Sequence, residues 1–235
     1  MTSPEWVQAG FFLISTRETP WRDNKILPAH AVTVSDCIVD RYPDSSWLLE
    51  EYPGEETAKL VQGMLGLTPE ETPGLFEWID KAWETGGFGW PGVFLSLGAA
   101  LEFRARFLRR LEPAVRLIGL SLDSALVPEY CASSDVLTQL LRYEPLDSAG
   151  VPLGFDVAGE TGEPNPTFHT FSCHGLEKEF SEVVGVSFNE HGLIVEYADA
   201  LAAWEFMGQL EPENEPEPAE WFPFRVDEHT PLVAG

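Results

Sequence analysis

Apolar residues recur at helical spacing most clearly over Val93–Glu112. With each residue advancing about 100°, its large apolar side chains fill one broad arc. These are Leu97, Leu101, Phe103, Phe107, Leu108 and Leu111. The pattern predicts one helix. Arg104 falls within the apolar arc, and an arginine among core residues must be paired with a carboxylate or desolvated at high cost. We therefore predict a buried ion pair at Arg104, the alternative being a cation at the base of a cleft.

Shorter patterns predict the remaining elements. Helical spacing and capping signals predict further helices: Glu55–Leu67, Leu75–Thr85, Ser134–Tyr143, Leu176–Val183 and Asp199–Met207. Runs of β-branched and apolar residues predict strands: Ala31–Asp40, Ala114–Leu122, Leu153–Ala158, Thr167–Cys173 and Leu193–Tyr197. Helices and short strands alternate irregularly, which favours an α+β fold over a doubly wound parallel sheet. We expect a mixed or antiparallel sheet packed against several helices.

The pattern changes at Glu211, where acidic residues begin to alternate with prolines. Prolines at this density preclude a helix, and like charges extend the chain. We predict a single globular domain over residues 1–210. Residues 211–235 are then an acidic Pro/Glu-rich linker with an aromatic C-terminal segment. Trp221 and Phe224 are too apolar for a free tail, so the end docks back or reaches a partner.

The charge balance narrows the choice of partners. The 235 residues include 39 Asp and Glu against 14 Lys and Arg, a formal charge of −25. Such a field repels phosphate backbones and anionic membrane surfaces, so we expect neither nucleic acid nor a membrane as partner. Eight Trp and fifteen Phe exceed what a disordered chain would carry. A basic protein partner, or simple solubility, explains the acidity.

The N-terminus and the cysteines favour a cytoplasmic protein. Glu5 stands where a signal peptide would carry a base, and no apolar run approaches the ~18 residues that span a bilayer. Cys37, Cys131 and Cys173 are odd in number and form no CxxC pair. We predict reduced thiols rather than a disulfide framework.

The tightest group of reactive side chains is His169, Cys173 and His174. Such ligands could hold zinc or copper, and a Cys/His pair could serve as a nucleophile. On a strand, however, His174 would point away from the other two. Residues four apart would also be separated by about 13 Å at a rise of ~3.3 Å. We therefore expect no metal, cofactor or catalysis here and keep the three only as ligand candidates.

Two other regions supply candidates for binding a partner. The glycine-rich loop 86–92 carries Phe88 and Trp90, and aromatic side chains on such a loop can anchor an interface. Both rings could instead pack on the protein's own core. The Glu/Pro segment supplies four acidic candidates: Glu211, Glu213, Glu215 and Glu217.

Short motifs in the second half of the chain occur in a fixed order: Leu153-Gly154-Phe155-Asp156, Phe168-His169-Thr170-Phe171-Ser172-Cys173, Phe188-Asn189 and Gly192-Leu193-Ile194. Over roughly residues 92–208 this order resembles a group of bacterial immunity proteins of toxin systems. The resemblance implies a non-enzymatic cytoplasmic protein that neutralises a cognate toxin by stoichiometric association. An acidic surface suits a basic toxin domain. The chain departs from the group in its Glu/Pro segment and aromatic end, which leaves the partner surface open.

The alternative is a small-molecule-binding or hydrolytic enzyme with its site near Arg104 or His169/Cys173. Such an enzyme should show a concave pocket with convergent polar groups. Pairs of neighbouring carboxylates do not indicate a catalytic site in so acidic a chain. The sequence also contains no phosphate-binding loop motif and no nucleophile-elbow motif. We therefore lean towards a binding protein.

Overall fold

The computed structural model describes residues 4–17, 28, 31–43, 54–89, 92–111, 114–133, 138, 141, 150–161, 168–210 and 219–229. Its strands are β1 (Trp6–Thr16), β2 (Val39–Tyr42), β3 (Phe88–Gly89), β4 (Val93–Phe94), β5 (Arg116–Asp123), β6 (Val151–Thr161), β7 (Phe168–Thr170) and β8 (Ala219–Glu228). Its α-helices are α1 (Glu55–Leu65), α2 (Thr72–Glu84), α3 (Leu97–Phe107), α4 (Val127–Ser133), α5 (Glu177–Glu179) and α6 (Tyr197–Met207). A π-helical turn, Phe180–Val184, continues α5. The predicted α+β fold is confirmed.

All eight strands belong to one antiparallel sheet of order β3-β4-β1-β5-β8-β6-β7, with β2 also paired to β1. β8 lies between β5 and β6, so residues 219–228 belong to the domain. The domain therefore extends beyond the predicted boundary at 210, and the aromatic end docks back, which is one of the two alternatives predicted for it. The reason is that Trp221 and Phe224 are both buried, so β8 needs cover on both of its faces. Residues 211–218 lie outside the described part.

Two groups of helices pack against one face of the sheet. The register places Leu13, Leu117 and Val157 on the same face, through pairing across β1, β5, β8 and β6. Leu13 and Leu117 pack against α1, α2 and α3. Val157 packs against the π-helical turn and α6. Each helix covers the sheet with the apolar stripe that its sequence period creates.

Among the described residues, the opposite face is covered mainly by the segment 31–38 and by α4. Phe12, Ile118 and Phe224 point to this side and pack against apolar residues of the segment 31–38 and against Tyr130 of α4. Tyr130 contacts the rings of both Phe222 and Phe224. The loop that carries Cys37 is therefore part of the core and is held against the sheet.

The helix predicted over Val93–Glu112 is shorter than expected. Val93 and Phe94 form β4 instead, and Ser96 caps α3 by accepting a hydrogen bond from the amide of Ala99. The helix ends at Phe107. Arg104 is buried, with 9% of its surface exposed. The hydrogen-bonded ion pair with Arg116 is the main cause of the lowered pKa of Glu228, and the charge of Arg104 contributes least. A buried ion pair at Arg104 stays a prediction, since Glu228 is bound by two nitrogens of Arg116.

Several predicted strands differ from the observed ones. The segment Ala31–Asp40 is not a continuous strand, because the amides of Ile38 and Val39 turn back to the carbonyl of Ser35 and β2 begins at Val39. In Leu193–Tyr197, Ile194 makes only isolated bridges. The helix predicted over Ser134–Tyr143 lies mostly outside the described residues. β1 was not predicted at all.

Gly10 sits at the irregularity in β1 and should not tolerate a side chain. Its φ is +117°, and an added Cβ would lie 2.3 Å from Cγ1 of Val93. We expect Gly10→Ala to lower the free energy of unfolding by about 2–3 kcal/mol, through backbone strain and overlap with β4. Urea unfolding measures this difference. Gly63→Ala is the matched control: a Cβ there meets nothing within 4 Å, so helix propensity should make it neutral or stabilising. Equal effects would contradict the explanation.

Candidate functional site

The candidate site is a cluster of three half-buried side chains, Cys37, His169 and Cys173, which we call the Cys–His cluster. One ligand atom from each residue lies within 4.8 Å of the other two. All three residues belong to the described part of the chain. His169 and Cys173 are two of the ligand candidates that the sequence indicates. Cys37 comes from a segment far away in the sequence.

The local fold of residues 168–174 brings Cys173 to His169. β7 ends at Thr170, and Phe171–His174 forms a 3-10 turn. Thr170 caps this turn through its side chain, which accepts a hydrogen bond from the amide of Ser172 at 3.0 Å. The amide of Thr170 also lies 3.5 Å from the Sγ of Cys173. The expected separation of about 13 Å is wrong because the chain coils where a strand was predicted.

His174 also differs from the expectation. Its ring centroid lies 5.9 Å from that of His169 and 5.8 Å from that of Trp221, so it does not point away from the group. Gly175 then ends the turn with a φ of +77°. The Thr170 cap and Gly175 are local signals that could have indicated a turn from the sequence.

Cys37 is positioned by a turn with its own hydrogen bonds. The amide of Cys37 donates to the Oγ of Ser35 at 3.2 Å, and the same Oγ lies 2.7 Å from the Sγ of Cys173. Ser35 thus links both cysteines. The contact joins segments far apart in the chain, so no sequence spacing could have revealed Cys37 as a member.

A buried ion pair fixes this turn to β2. Arg41 is 1% exposed and binds Asp36, the neighbour of Cys37, through Nε and through Nη2, which lies 2.6 Å from Oδ2. The guanidinium also lies over the rings of Phe12 and Phe168, 5.8 and 5.9 Å from their centroids. Arg41 is more deeply buried than Arg104, and it follows the predicted strand Ala31–Asp40, where no helical period marks it as a core position.

The two cysteines of the cluster differ in their acidity. Hydrogen bonds from Cys173 and then His169 lower the pKa of Cys37 well below that of an ordinary thiol. Sharing the hydrogen bond with Cys37, together with burial, raises the pKa of Cys173. Cys37 is therefore the more acidic of the two thiols, and two sulfur atoms and one imidazole ring meet in the cluster. This combination can ligate a soft metal ion, form a disulfide or act as a nucleophile.

Next to the cluster lies a buried carboxyl group, that of Asp156 on β6. Burial, with a smaller contribution from the charge of Glu177, raises the pKa of Asp156 to about 7. The hydroxyl of Thr33 donates to its Oδ2 at 3.3 Å, whereas Oδ1 is buried and has no hydrogen-bond partner among the described residues. Asp156 borders a cavity of about 10 Å³ that is also lined by His191. Such a cavity holds one water molecule at most.

The other sequence candidates lie elsewhere. Phe88 is buried in β3 and contacts the rings of Trp83 and Phe94, so its predicted role as an exposed anchor is wrong. The ring fills the core because β3 pairs with β4 at the sheet edge. The remaining partner-binding candidates lie outside the described residues: Trp90, Glu211, Glu213, Glu215 and Glu217.

Comparison of the chain with protein-family models, with curated proteins and with solved structures finds no match. Within the residues that the structure describes, no helix has the length and apolar character needed to cross a membrane. The fold and the site therefore define an acidic α+β protein with a Cys–His cluster. Its function must be argued from its surface and chemistry.

Proposed function

We propose that the protein is a non-enzymatic, cytoplasmic binding protein that associates stoichiometrically with a basic protein partner, as an immunity protein does with a toxin domain. The observation that carries this proposal is the uneven distribution of charge. Residues 143–224 contain seventeen Asp and Glu but a single basic residue, Lys178. Residues 54–111, which include α1 to α3, contain eight acidic and six basic residues.

The segment 177–207, which comprises α5, the π-helical turn, the connection that follows it and α6, exposes carboxylates, and we call its exposed side chains the acidic surface. Its exposed acidic residues are Glu179, Glu182, Glu190, Glu196 and Glu205. None of these makes an ion pair with another described residue. The same surface exposes two apolar side chains, Val183 at 67% and Val195 at 43%.

The helices α1 to α3 differ in how their charges are used. Glu71 binds both Arg109 and Arg110, and Glu102 binds Arg106. Charges paired in this way largely cancel at a distance, whereas those of the acidic surface add up to a long-range field. A complementary field can raise association rates from about 10⁵–10⁶ to 10⁸–10⁹ M⁻¹s⁻¹ at low salt. The exposed valines would then supply apolar contact after encounter.

The test first asks whether a neighbouring gene encodes a toxin-like protein, and then titrates that basic protein against this one at two ionic strengths. We expect tight 1:1 binding with an on-rate that falls about tenfold or more with added salt. The triple variant Glu179→Gln, Glu182→Gln and Glu205→Gln should lower the on-rate severalfold at low salt and leave the fold unchanged.

Glu70→Gln, Glu77→Gln and Glu84→Gln together form the matched control, with the same change of net charge on and next to α2. This control should lower the on-rate much less. No binding at micromolar concentration would overturn the proposal. Equal effects of the two triple variants would show that the acidic surface is not where the partner docks.

The enzyme alternative receives less support from the cavities described. The cavity that Asp156 borders is not lined by any residue of the Cys–His cluster, and it admits one water molecule rather than an organic substrate. A larger hollow of about 290 Å³ lies between α2 and α3, but its wall includes Arg106 and not Arg104. Turnover of a small substrate that is lost in Cys37→Ala would restore the enzyme alternative.

A further inference from the structure

The geometry of the Cys–His cluster matches the needs of a tetrahedral metal ion. Zinc binds thiolate sulfur at about 2.3 Å and imidazole nitrogen at about 2.0–2.1 Å, which places neighbouring ligand atoms roughly 3.5–3.8 Å apart. The ligand atoms of Cys37, His169 and Cys173 already lie within 4.8 Å of one another. Side-chain adjustments of about 1 Å would suffice to close the site.

The chemistry of the donors indicates which ion fits. Two sulfur ligands and one imidazole are a soft to borderline set, which suits zinc and disfavours magnesium or calcium. The cluster has three ligands and no fourth among its members, so a water molecule would complete the coordination. All three residues are half-buried, which leaves a route for the ion and still partly shields it.

The scaffold holds these ligands in place before any ion binds. His169 is fixed by β7, which pairs with β6. Cys173 is fixed by the capped 3-10 turn, and Cys37 by the turn that the Arg41–Asp36 ion pair anchors. The Oγ of Ser35, 2.7 Å from the Sγ of Cys173, is a ready hydrogen-bond partner for a bound thiolate. Such outer partners orient metal ligands.

We propose that Cys37, His169 and Cys173 bind one Zn²⁺ ion and thereby join the 31–38 loop to the edge of the sheet at β7. The inference goes beyond the proposed partner binding and does not depend on it. It replaces the expectation of no metal, which rested on a strand where the chain forms a turn.

The experiment uses tag-free full-length protein, reduced and freed of metal, titrated with Zn²⁺ in competition with a chromophoric chelator. We expect one Zn²⁺ per chain and a higher melting temperature with Zn²⁺. Co²⁺ should give the absorption spectrum of a tetrahedral thiolate site. Bound Zn²⁺ should also protect Cys37 and Cys173, but not Cys131, from alkylation.

Variants separate this site from adventitious binding. Cys37→Ser, His169→Gln and Cys173→Ser should each weaken Zn²⁺ binding by about 100-fold or more, beyond the 10–100-fold typical for loss of an outer partner. Ser35→Ala should weaken it by about tenfold. Cys131→Ser is the matched control, since Cys131 is a free, half-buried cysteine outside the cluster, and should bind as the wild type does.

Three outcomes would overturn the inference. The first is failure of the reduced wild-type protein to bind Zn²⁺ at micromolar concentration, a result that needs no variant to fold. The second is binding that survives loss of either cysteine. The third is isolation of the protein from cells with a Cys37–Cys173 disulfide, shown by mass spectrometry. Sulfur atoms joined in a disulfide are not thiolates and cannot ligate the ion.

Discussion

Replacing Arg41 with alanine is expected to lower the free energy of unfolding by about 3–5 kcal/mol, the usual cost of breaking a buried ion pair. Arg41 is almost fully buried, binds Asp36 through two nitrogens and lies over two aromatic rings. Its loss removes all of these contacts and leaves a cavity beside Phe12 and Phe168. Urea unfolding measures the difference in the free energy of unfolding between variant and wild type. An unchanged m-value shows that both proteins expose a similar surface on unfolding.

Arg109→Ala is the matched control for removal of an arginine from an ion pair. Arg109 is 59% exposed, and its partner Glu71 keeps Arg110, so the cost should stay below about 1 kcal/mol. Arg41→Ala should also speed alkylation of Cys37 in the native protein, because the turn beside it loses its anchor. A cost as small as that of Arg109→Ala would show that the pair does not support the loop.

Replacing Asp156 with asparagine is expected to change how stability depends on pH. The pKa of Asp156 is raised from 3.8 to about 7 by burial, so between these values the folded state binds more protons than the unfolded state. Its contribution to stability is therefore complete below about pH 4 and is lost as the pH rises through 7. The full change corresponds to roughly 4 kcal/mol.

Asp156→Asn keeps the shape of the side chain but cannot ionise. The stability of this variant relative to the wild type should therefore rise by roughly 4 kcal/mol between pH 4 and pH 8. Denaturant unfolding at several pH values measures the difference. Asp80→Asn, on the exposed face of α2, controls for loss of a carboxylate and should stay within about 0.5 kcal/mol of the wild type throughout. A constant difference for Asp156→Asn would contradict a buried, protonated carboxyl group.

The amino-acid sequence determined three of the helices and the acidic character of the protein. The periods over Glu55–Leu67, Leu75–Thr85 and Asp199–Met207 correspond closely to α1, α2 and α6. A helix is made of contacts three and four residues apart, so its apolar stripe is visible in a short window. The net charge is likewise a property of composition alone.

At the end of β7, local sequence signals for a strand and for a turn compete, and the turn forms. Phe168–Cys173 has the residues of a strand, yet only Phe168–Thr170 pairs with β6. A strand needs a partner along its whole length, whereas the Thr170 cap and Gly175 stabilise a turn within the segment itself. Because the turn forms, Cys173 lies close to His169, and these are two of the three ligands of the proposed zinc site.

Only the tertiary structure decided the order of the sheet and the membership of the site. β8 follows an acidic, proline-rich segment, but its two apolar faces place it between β5 and β6. Cys37 meets His169 and Cys173 because the 31–38 loop packs on the face of the sheet that carries Phe12 and Phe168. Strand pairing and side-chain packing join residues of any separation, so no local period encodes them.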